Sequence, residues 1–488
     1  MPLPNDLWFA GSADGTLTPP TSADPIQAAL DAQLDGLDGW STVAPIRFPF
    51  SEAIDPTTVT LGSSVRLFQV TLVAAAAFVG GPVDVVVREL DAAEVAATVG
   101  DAGQSIVLTP LAPLAPQSAY TAVVTREVRG TSGIPVAPAG PFAEALLGPA
   151  LAPSDAQFEL QQRLQAEAQA LAPFGIDADQ IASTTTFSTQ SIDSVQQALV
   201  AIAKGEEAEF VAQLQLDAPF LDFSAPLAEA APAATVGVEG VVDLPLPDGI
   251  PIWLSRFHRG WLEVPYYLDA PAERASVNGD TSILTSRFRT RFQFGPDDDA
   301  RHTTRFNPLP AVRSVQRIPM LITEPLTAPK PATGWPVLVF QHGITGDRAN
   351  LQALSITLGA ARIAAVAIDL PLHGITNDED PLFAGFDSGA DGVRERHFGL
   401  DALTVADDGE QQLGEDGQPD PSGAHFIQFE SLVTTRDHVK QAVADLLQLL
   451  SVLEQVDLDG DGLGDFDTSQ VYFVGHSLGA VVGAEFLP

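Results

Sequence analysis

The sequence predicts an α/β protein in two parts: a β-sandwich of short strands carrying a helical insertion, then a parallel sheet flanked by helices. Two patterns predict it. Short runs rich in valine, isoleucine and threonine recur between turn residues from 41 to about 130, the spacing of a sandwich. Further on, Trp335-Pro336-Val337-Leu338-Val339-Phe340, Ile363 to Ile368 and Val471 to Val474 are continuous apolar runs separated by helical patterns. Strands buried on both faces of a parallel sheet look like this. At 488 residues the chain is also too long for one core.

Taken in order, residues 1–40 form an N-terminal segment rich in Asp, Gly and Pro, with a short helical pattern near Ile26 to Leu34. Residues 41–190 hold the sandwich. Its strands are read at Ala44 to Phe50, Val65 to Val70, Val83 to Val87, Ser105 to Leu108 and Tyr120 to Thr125. The phrases FSEAIDPTTVT and LTPLAPLAPQSAYTAVVT resemble bacterial Ig-like domains, and Thr184-Thr185-Thr186-Phe187-Ser188-Thr189 resembles their closing strand. Residues 154–181 are then a helical insertion, with helical spacing from Ala156 to Leu171. Residues 191–250 read as a helix, 191–204, and a Pro- and Ala-rich irregular linker. Residues 251–488 are the α/β part: strand patterns to 328, then the buried runs above, with helices at Asp347 to Ala361 and Thr434 to Leu453.

Charge narrows the partners. There are 63 acidic and 24 basic residues, a net charge of -39, so nucleic acid is excluded as a partner by repulsion. Such a surface suits a high-salt medium, where ions screen self-repulsion, and equally an ordinary acidic secreted protein. No cysteine is present, which removes disulfides, thiol catalysis and cysteine metal sites. The opening Met1-Pro2-Leu3-Pro4-Asn5-Asp6 lacks the basic flank and apolar core of a signal peptide. The apolar stretch Leu67 to Val87 is broken by Gln69, Thr71, Gly80-Gly81-Pro82 and Asp84, so it reads as a strand pair and not a membrane span.

The strongest chemical signal is Gly475-His476-Ser477-Leu478-Gly479, between a buried strand and the small-residue helix Ala480-Val481-Val482-Gly483-Ala484. A G-x-S-x-G phrase in that setting holds a serine on a sharp strand-to-helix turn, hydroxyl outward. The bland alternative is a structural Gly-Ser turn. A second signal, Gln341-His342-Gly343-Ile344-Thr345-Gly346, follows an upstream strand. In α/β-hydrolases an HG phrase there supplies one oxyanion-hole amide, and the residue after the serine supplies the other. By position these are the N–H groups of Ile344 and Leu478, two donors that favour a tetrahedral oxyanion by several kcal/mol. His342 is expected to shape the loop. The third signal is Asp457-Leu458-Asp459-Gly460-Asp461-Gly462-Leu463-Gly464-Asp465. Its spacing matches the opening of an EF-hand-type loop, so Asp457, Asp459, Asp461 and Asp465 are candidate ligands of a structural calcium ion. Thr468 stands where the bidentate Glu of such a loop would be, and the alternative is a solvated acidic turn. No cofactor is expected for catalysis.

These phrases together, with GWPVLVFQHGITGDRAN, VAIDLPLHGIT, SGAHFIQFESLVTTRDHVKQAVADLLQL and VYFVGHSLGAVVGAEFL, resemble the bacterial virulence-factor lipase family. The opening DLWFAGSADGTL and LDGWSTVAPIRFPFS also resemble its N-terminal region. The resemblance implies an α/β-hydrolase core after the Ig-like sandwich, a carboxylic ester hydrolase acting on lipid or acyl esters, and export to the medium or the outer-membrane surface, where association with the membrane surface fits. In this fold the acid and histidine follow the serine, whereas the eleven residues after Ser477 contain neither His nor Asp. Both are therefore expected beyond residue 488, the core is expected to be C-terminally incomplete, and the isolated chain is expected to be nearly inactive. Polyester hydrolase or thioesterase chemistry is a close variant. From another class, a surface-binding or adhesion module with a vestigial hydrolase domain is the alternative. Acyl-chain preference and oligomeric state are not encoded legibly.

Overall fold

The computed structural model describes all residues except 21, 74–79, 156, 219, 224–229, 247–248, 250–251, 272–281, 295–301, 388, 390–391, 406–410 and 488. The chain divides into two compact units: 1–194 with 304–306, and 195–303 with 307–488. Among the described residues it is a mixed α/β structure with four sheets.

In the first unit, α1 (Pro25–Leu34) precedes the strands β1 (Ile46–Pro49), β2 (Val65–Leu72), β3 (Val83–Glu89), β4 (Val95–Gly100), β5 (Ser105–Pro110), β6 (Ala119–Thr125) and β7 (Ile181–Ser188). They form a three-stranded sheet, β1-β5-β4, and a four-stranded sheet, β3-β2-β6-β7, with every pair antiparallel. One core joins the two sheets: Ile46, Phe48, Ile106 and Leu108 from the first, Val65, Leu67, Ala122, Val124 and Phe187 from the second. Alternation explains this, because every second residue of a strand faces the same side. β6 is buried on both faces because α2 (Gly140–Leu147) and α3 (Phe158–Leu171) cover the outer side, packing Leu146, Leu164, Ala168 and Leu171 on Phe68, Val70 and Val123. Each such apolar side chain contributes about 1.5–3 kcal/mol on burial. The N-terminal segment is pinned: the Asp6 carboxylate accepts the Ser188 N–H and hydroxyl at 2.8 and 2.7 Å.

In the second unit, α4 (Ser194–Ala203), which starts at the last residue of the first, and α5 (Glu207–Asp217) lead to β8 (Thr235–Val242), β9 (Ser255–Tyr266), β10 (Ser314–Pro325), β11 (Trp335–Gln341), α6 (Gln352–Ala361) and β12 (Ala364–Ile368). A small hairpin, β13 (Leu403–Val405) and β14 (Gln411–Leu413), precedes α7 (Leu432–Val452), β15 (Phe466–Gly475) and α8 (Leu478–Phe486). The six-stranded sheet runs β15-β11-β12-β10-β9-β8. β15, β11 and β12 are parallel, while β10, β9 and β8 add antiparallel strands. Val337, Val339, Val366 and Ile368 face α7 and α8; Leu338, Phe340, Ala365 and Ala367 face α6. Both faces of β11 and β12 are covered, which is why they read as unbroken apolar runs; Val471 to Val474, expected to be equally buried, lie on the edge strand β15, where Val471, Tyr472 and Val474 are exposed.

The helix expected at 191–204 is α4, but the irregular stretch expected from about 215 to 250 needs correction. Val195, Ala198, Leu199, Val211 and Leu214 of α4 and α5 belong to a buried cluster with Tyr266, Tyr267 and Phe288, and residues 235–242 form β8. Glycines hid that strand, since they weaken strand patterns. Gly237 is required because a Cβ there would meet the Trp261 ring at 2.5 Å, and Gly240, at φ +136°, sits at a register shift.

Candidate active site

The carboxyl ends of β11, β12 and β15 converge, with Gln341 paired to Gly475. Ligand and catalytic sites of parallel sheets lie at this end. β15 ends in a bend at Ser477, whose φ of 52° and ψ of -114° are a strained conformation for any residue with a Cβ. The sequence enforces the bend through its glycines. A Cβ on Gly475 would strike the Gly479 carbonyl, and a Cβ on Gly479 would strike the carbonyls of Gln341 and His342. The His476 N–H donates to the Gln341 carbonyl at 2.9 Å, locking the bend to the end of β11. Ser477 and His476 are exposed, so the hydroxyl is presented to solvent.

The loop after β11 lies against this bend. A Cβ on Gly343 would come within 3.0 Å of Ser477 Cβ and of the His476 carbonyl. Ile344 and Leu478 are partly buried and pack on the same core. The loop closes tightly: Gly346 N–H donates to the Gly343 carbonyl at 3.1 Å, and Thr345 takes φ +64°. His342 is wholly buried beneath it. Its Nδ1 lies 2.8 Å from the Gly343 carbonyl, and its Nε2 accepts the Leu370 N–H at 3.0 Å. The ring is therefore neutral with its proton on Nδ1, and burial lowers its pKa to about 4. Among the described residues no histidine is hydrogen-bonded to the Ser477 hydroxyl.

Beneath these loops lies a buried charge network that the motifs gave no sign of. Arg348 forks onto Glu395, Nη2 to Oε1 at 2.8 Å and Nη1 to Oε2 at 2.9 Å, and also pairs with Asp369. Its backbone N–H donates to Asp369 Oδ1 at 2.6 Å. Burial opposes the guanidinium charge, but Asp369 and Glu395 outweigh it and hold the pKa above its ordinary value. Arg396 bonds Asp445 of α7 at 2.5 Å and the Asp369 carbonyl at 2.9 Å. Asp437, Gln441 and Asp445 form a polar stripe on α7 at four-residue spacing. Asp437 accepts the Phe288 N–H at 3.0 Å, and Gln441 accepts the Tyr267 N–H at 2.8 Å. That four-residue spacing was the signal available in the sequence. His373, beside His342 with ring centroids 5.0 Å apart, is also buried, and desolvation lowers its pKa to about 3. Asp420 and His425 pair at 2.6 Å, and Asp420 also accepts the Ala402 and Leu403 N–H groups.

The acidic loop before β15 is a separate place. Asp457, Asp459 and Asp465 bring carboxylate oxygens within 4.8 Å of one another; Asp461 is not in that group. Its Oδ1 accepts the Leu463 N–H at 2.8 Å instead. Lys330 Nζ lies 2.8 Å from Asp459 and also pairs with Asp465, so a tethered cation already answers part of the charge. The donor set suits a hard cation, but a calcium ion would compete with that ammonium.

Residues 6–215 match the family model described as bacterial virulence factor lipase N-terminal. Over that region the chain is similar to the family. The lipase-family match includes the whole described sandwich of the first unit and extends through α4 into α5. Among solved structures the chain is similar to an acetyl xylan esterase from Paenibacillus sp. R4, at 13% identity and a TM-score of 0.25, covering 61% of this chain and 56% of that one. A likeness that distant carries no argument about the site. No curated protein matches the chain.

Proposed function

We propose that the chain carries the nucleophile of a serine carboxylic-ester hydrolase, a lipase or esterase acting on lipid or acyl esters. Ser477 attacks the ester carbonyl, the N–H groups of Ile344 and Leu478 hold the oxyanion, and the alcohol leaves as an acyl-enzyme forms. Water then releases the acid. The proton from Ser477 goes to a histidine oriented by a carboxylate; the chain order of α/β-hydrolases places both C-terminal to the nucleophile. The first unit is read as an Ig-like sandwich, in keeping with secretion or display at the bacterial surface. No helix among the described residues is long and apolar enough to cross a membrane. A calcium ion in the 457–465 loop would be structural, an alternative to Lys330.

The observation that carries the reading is the strained, exposed Ser477 with Gly343 against its Cβ. A serine-directed fluorophosphonate is the test. Covalent labelling at Ser477, lost in Ser477→Ala, supports the reading. Strong aryl-ester turnover that survives Ser477→Ala would end it.

A further inference from the structure

An oxyanion hole works only if its donors are held still before the reaction, and besides its own short-range bonds the turn at Gly343–Asp347 is tied to a distant stretch by the Ser422 hydroxyl, which donates to the Gly346 carbonyl at 2.7 Å. Its upstream end is fixed by β11. Its downstream end is Arg348, and there the structure is unusually well tied. Arg348 is 1% exposed in a segment that reads as polar. Asp369, at the end of β12, takes its backbone N–H. Glu395 takes both terminal nitrogens of the guanidinium. The same carboxylate accepts the Ile375 N–H at 3.0 Å and the Ala384 N–H at 2.9 Å, and a Cβ on Gly374 would collide with it. Glu395 therefore binds three loops into one body: 343–348, 374–375 and 382–384. A buried carboxylate with four such donors has no freedom to turn, and a bidentate fork fixes the arginine in angle as well as position.

We propose that Glu395 is a positioning residue that acts through Arg348 to hold the Gly343–Asp347 turn against the Ser477 bend. Only its catalytic consequence rests on the esterase reading. Without Glu395, Asp369 would still hold Arg348 by Nη1 and by its backbone, and the Leu382 carbonyl would hold Nη2 at 2.5 Å, but the planar two-point fork that fixes the angle of the guanidinium would be lost. The segment 393–402 is buried throughout, which is otherwise a costly place for Arg394, Glu395 and Arg396.

The test uses the full chain and two variants, Glu395→Gln and Arg348→Lys. Amide hydrogen exchange is followed by mass spectrometry, together with the rate of Ser477 labelling by a fluorophosphonate. Exchange in peptides covering 342–350 should quicken by about tenfold or more, while β12 and the middle of α7 stay as in the parent. Labelling should slow by about tenfold to a hundredfold at unchanged probe saturation. Arg348→Lys keeps a cation between the same carboxylates but loses the fork, so it should behave like Glu395→Gln; should Glu395→Gln not fold, it carries the test. Unchanged exchange at 342–350 overturns the proposal. So does an equal rise through β12 and α7, which is the mark of a merely structural role. Absence of labelling in the parent chain would not bear on the esterase reading, because an unassisted serine reacts slowly with the probe, and would leave exchange to decide the positioning role.

Discussion

The second unit twice places one cation between two carboxylates, and the two places differ in their access to water. Arg348 lies between Asp369 and Glu395 with side chains 2%, 0% and 0% exposed. Lys330 lies between Asp459 and Asp465 with 31%, 53% and 1% exposed. The Coulomb attraction is similar on paper, but water screens the second and is excluded from the first. Removing the cation strands two buried carboxylates in one place; in the other Asp459 stays hydrated and Asp465, though buried, keeps the Leu458 N–H at 2.5 Å. The chain thus keeps its strict ion pairing under the loops that meet Ser477 and its loose pairing on the loop that enters β15.

The sharpest way to break this contrast is Arg348→Met. It strands two buried carboxylates and should cost about 3–5 kcal/mol in denaturant unfolding. A loss below about 1 kcal/mol would mean that water reaches the network and that the two places do not differ.

Acidity separates the units as well. In the second unit, burial lowers the pKa of His342 to about 4 and of His373 to about 3, and lowers His397 and His438 too. Their folded values lie below the unfolded one of 6.5, so the stability they confer is present above that value and is lost as pH falls through 6.5 towards 4. Burial also raises Asp347, to about 6, and Asp445, which works the other way with fewer groups. In the first unit, burial raises Asp6 from 3.8 to about 6 and Glu167 from 4.5 to about 7. Their contribution is full at low pH and is lost as pH rises through those folded values. Calorimetry between pH 5 and 8 should show one unfolding transition moving up and another moving down. Two transitions moving together would refute this.

Ser477→Gly should raise stability by about 1 kcal/mol, because glycine accepts φ 52° without strain, and Ser477→Ala should not. The smallest effect belongs to Lys330→Met: a fall of no more than about 2 °C in Tm, fading in molar salt and reversed by millimolar calcium. A larger, salt-independent loss would place Lys330 with Arg348.

The legible parts of the molecule were those written in local pattern. The buried parallel strands β11 and β12, α3, α7 and the bend at Ser477 follow from apolar runs, helical spacing and paired glycines, whereas Val471 to Val474, which read as a third buried strand, lie on the exposed edge strand β15. β4 escaped because Ala96-Ala97-Thr98 is weak as a strand pattern and gains its place by pairing with β5. Asp461 stands apart from the three grouped carboxylates, its own accepting the N–H of Leu463 two residues on, a local turn that the spacing of the acidic residues does not spell out. Glu395 was invisible for a different reason. An Arg-Glu-Arg-His run looks like a solvated surface, and only residues from β12, the loop after β11 and α7, brought in from afar, make it an interior.

The stripe on α7 has a mechanical meaning. Asp437, Gln441 and Asp445 grip three different stretches of chain from one side of one helix. Adding a single residue ahead of them would turn that side by about 100° and release all three grips together. The helix works like a key in a lock: its angle is tolerated at one setting, so insertions belong in the loops and not along its length.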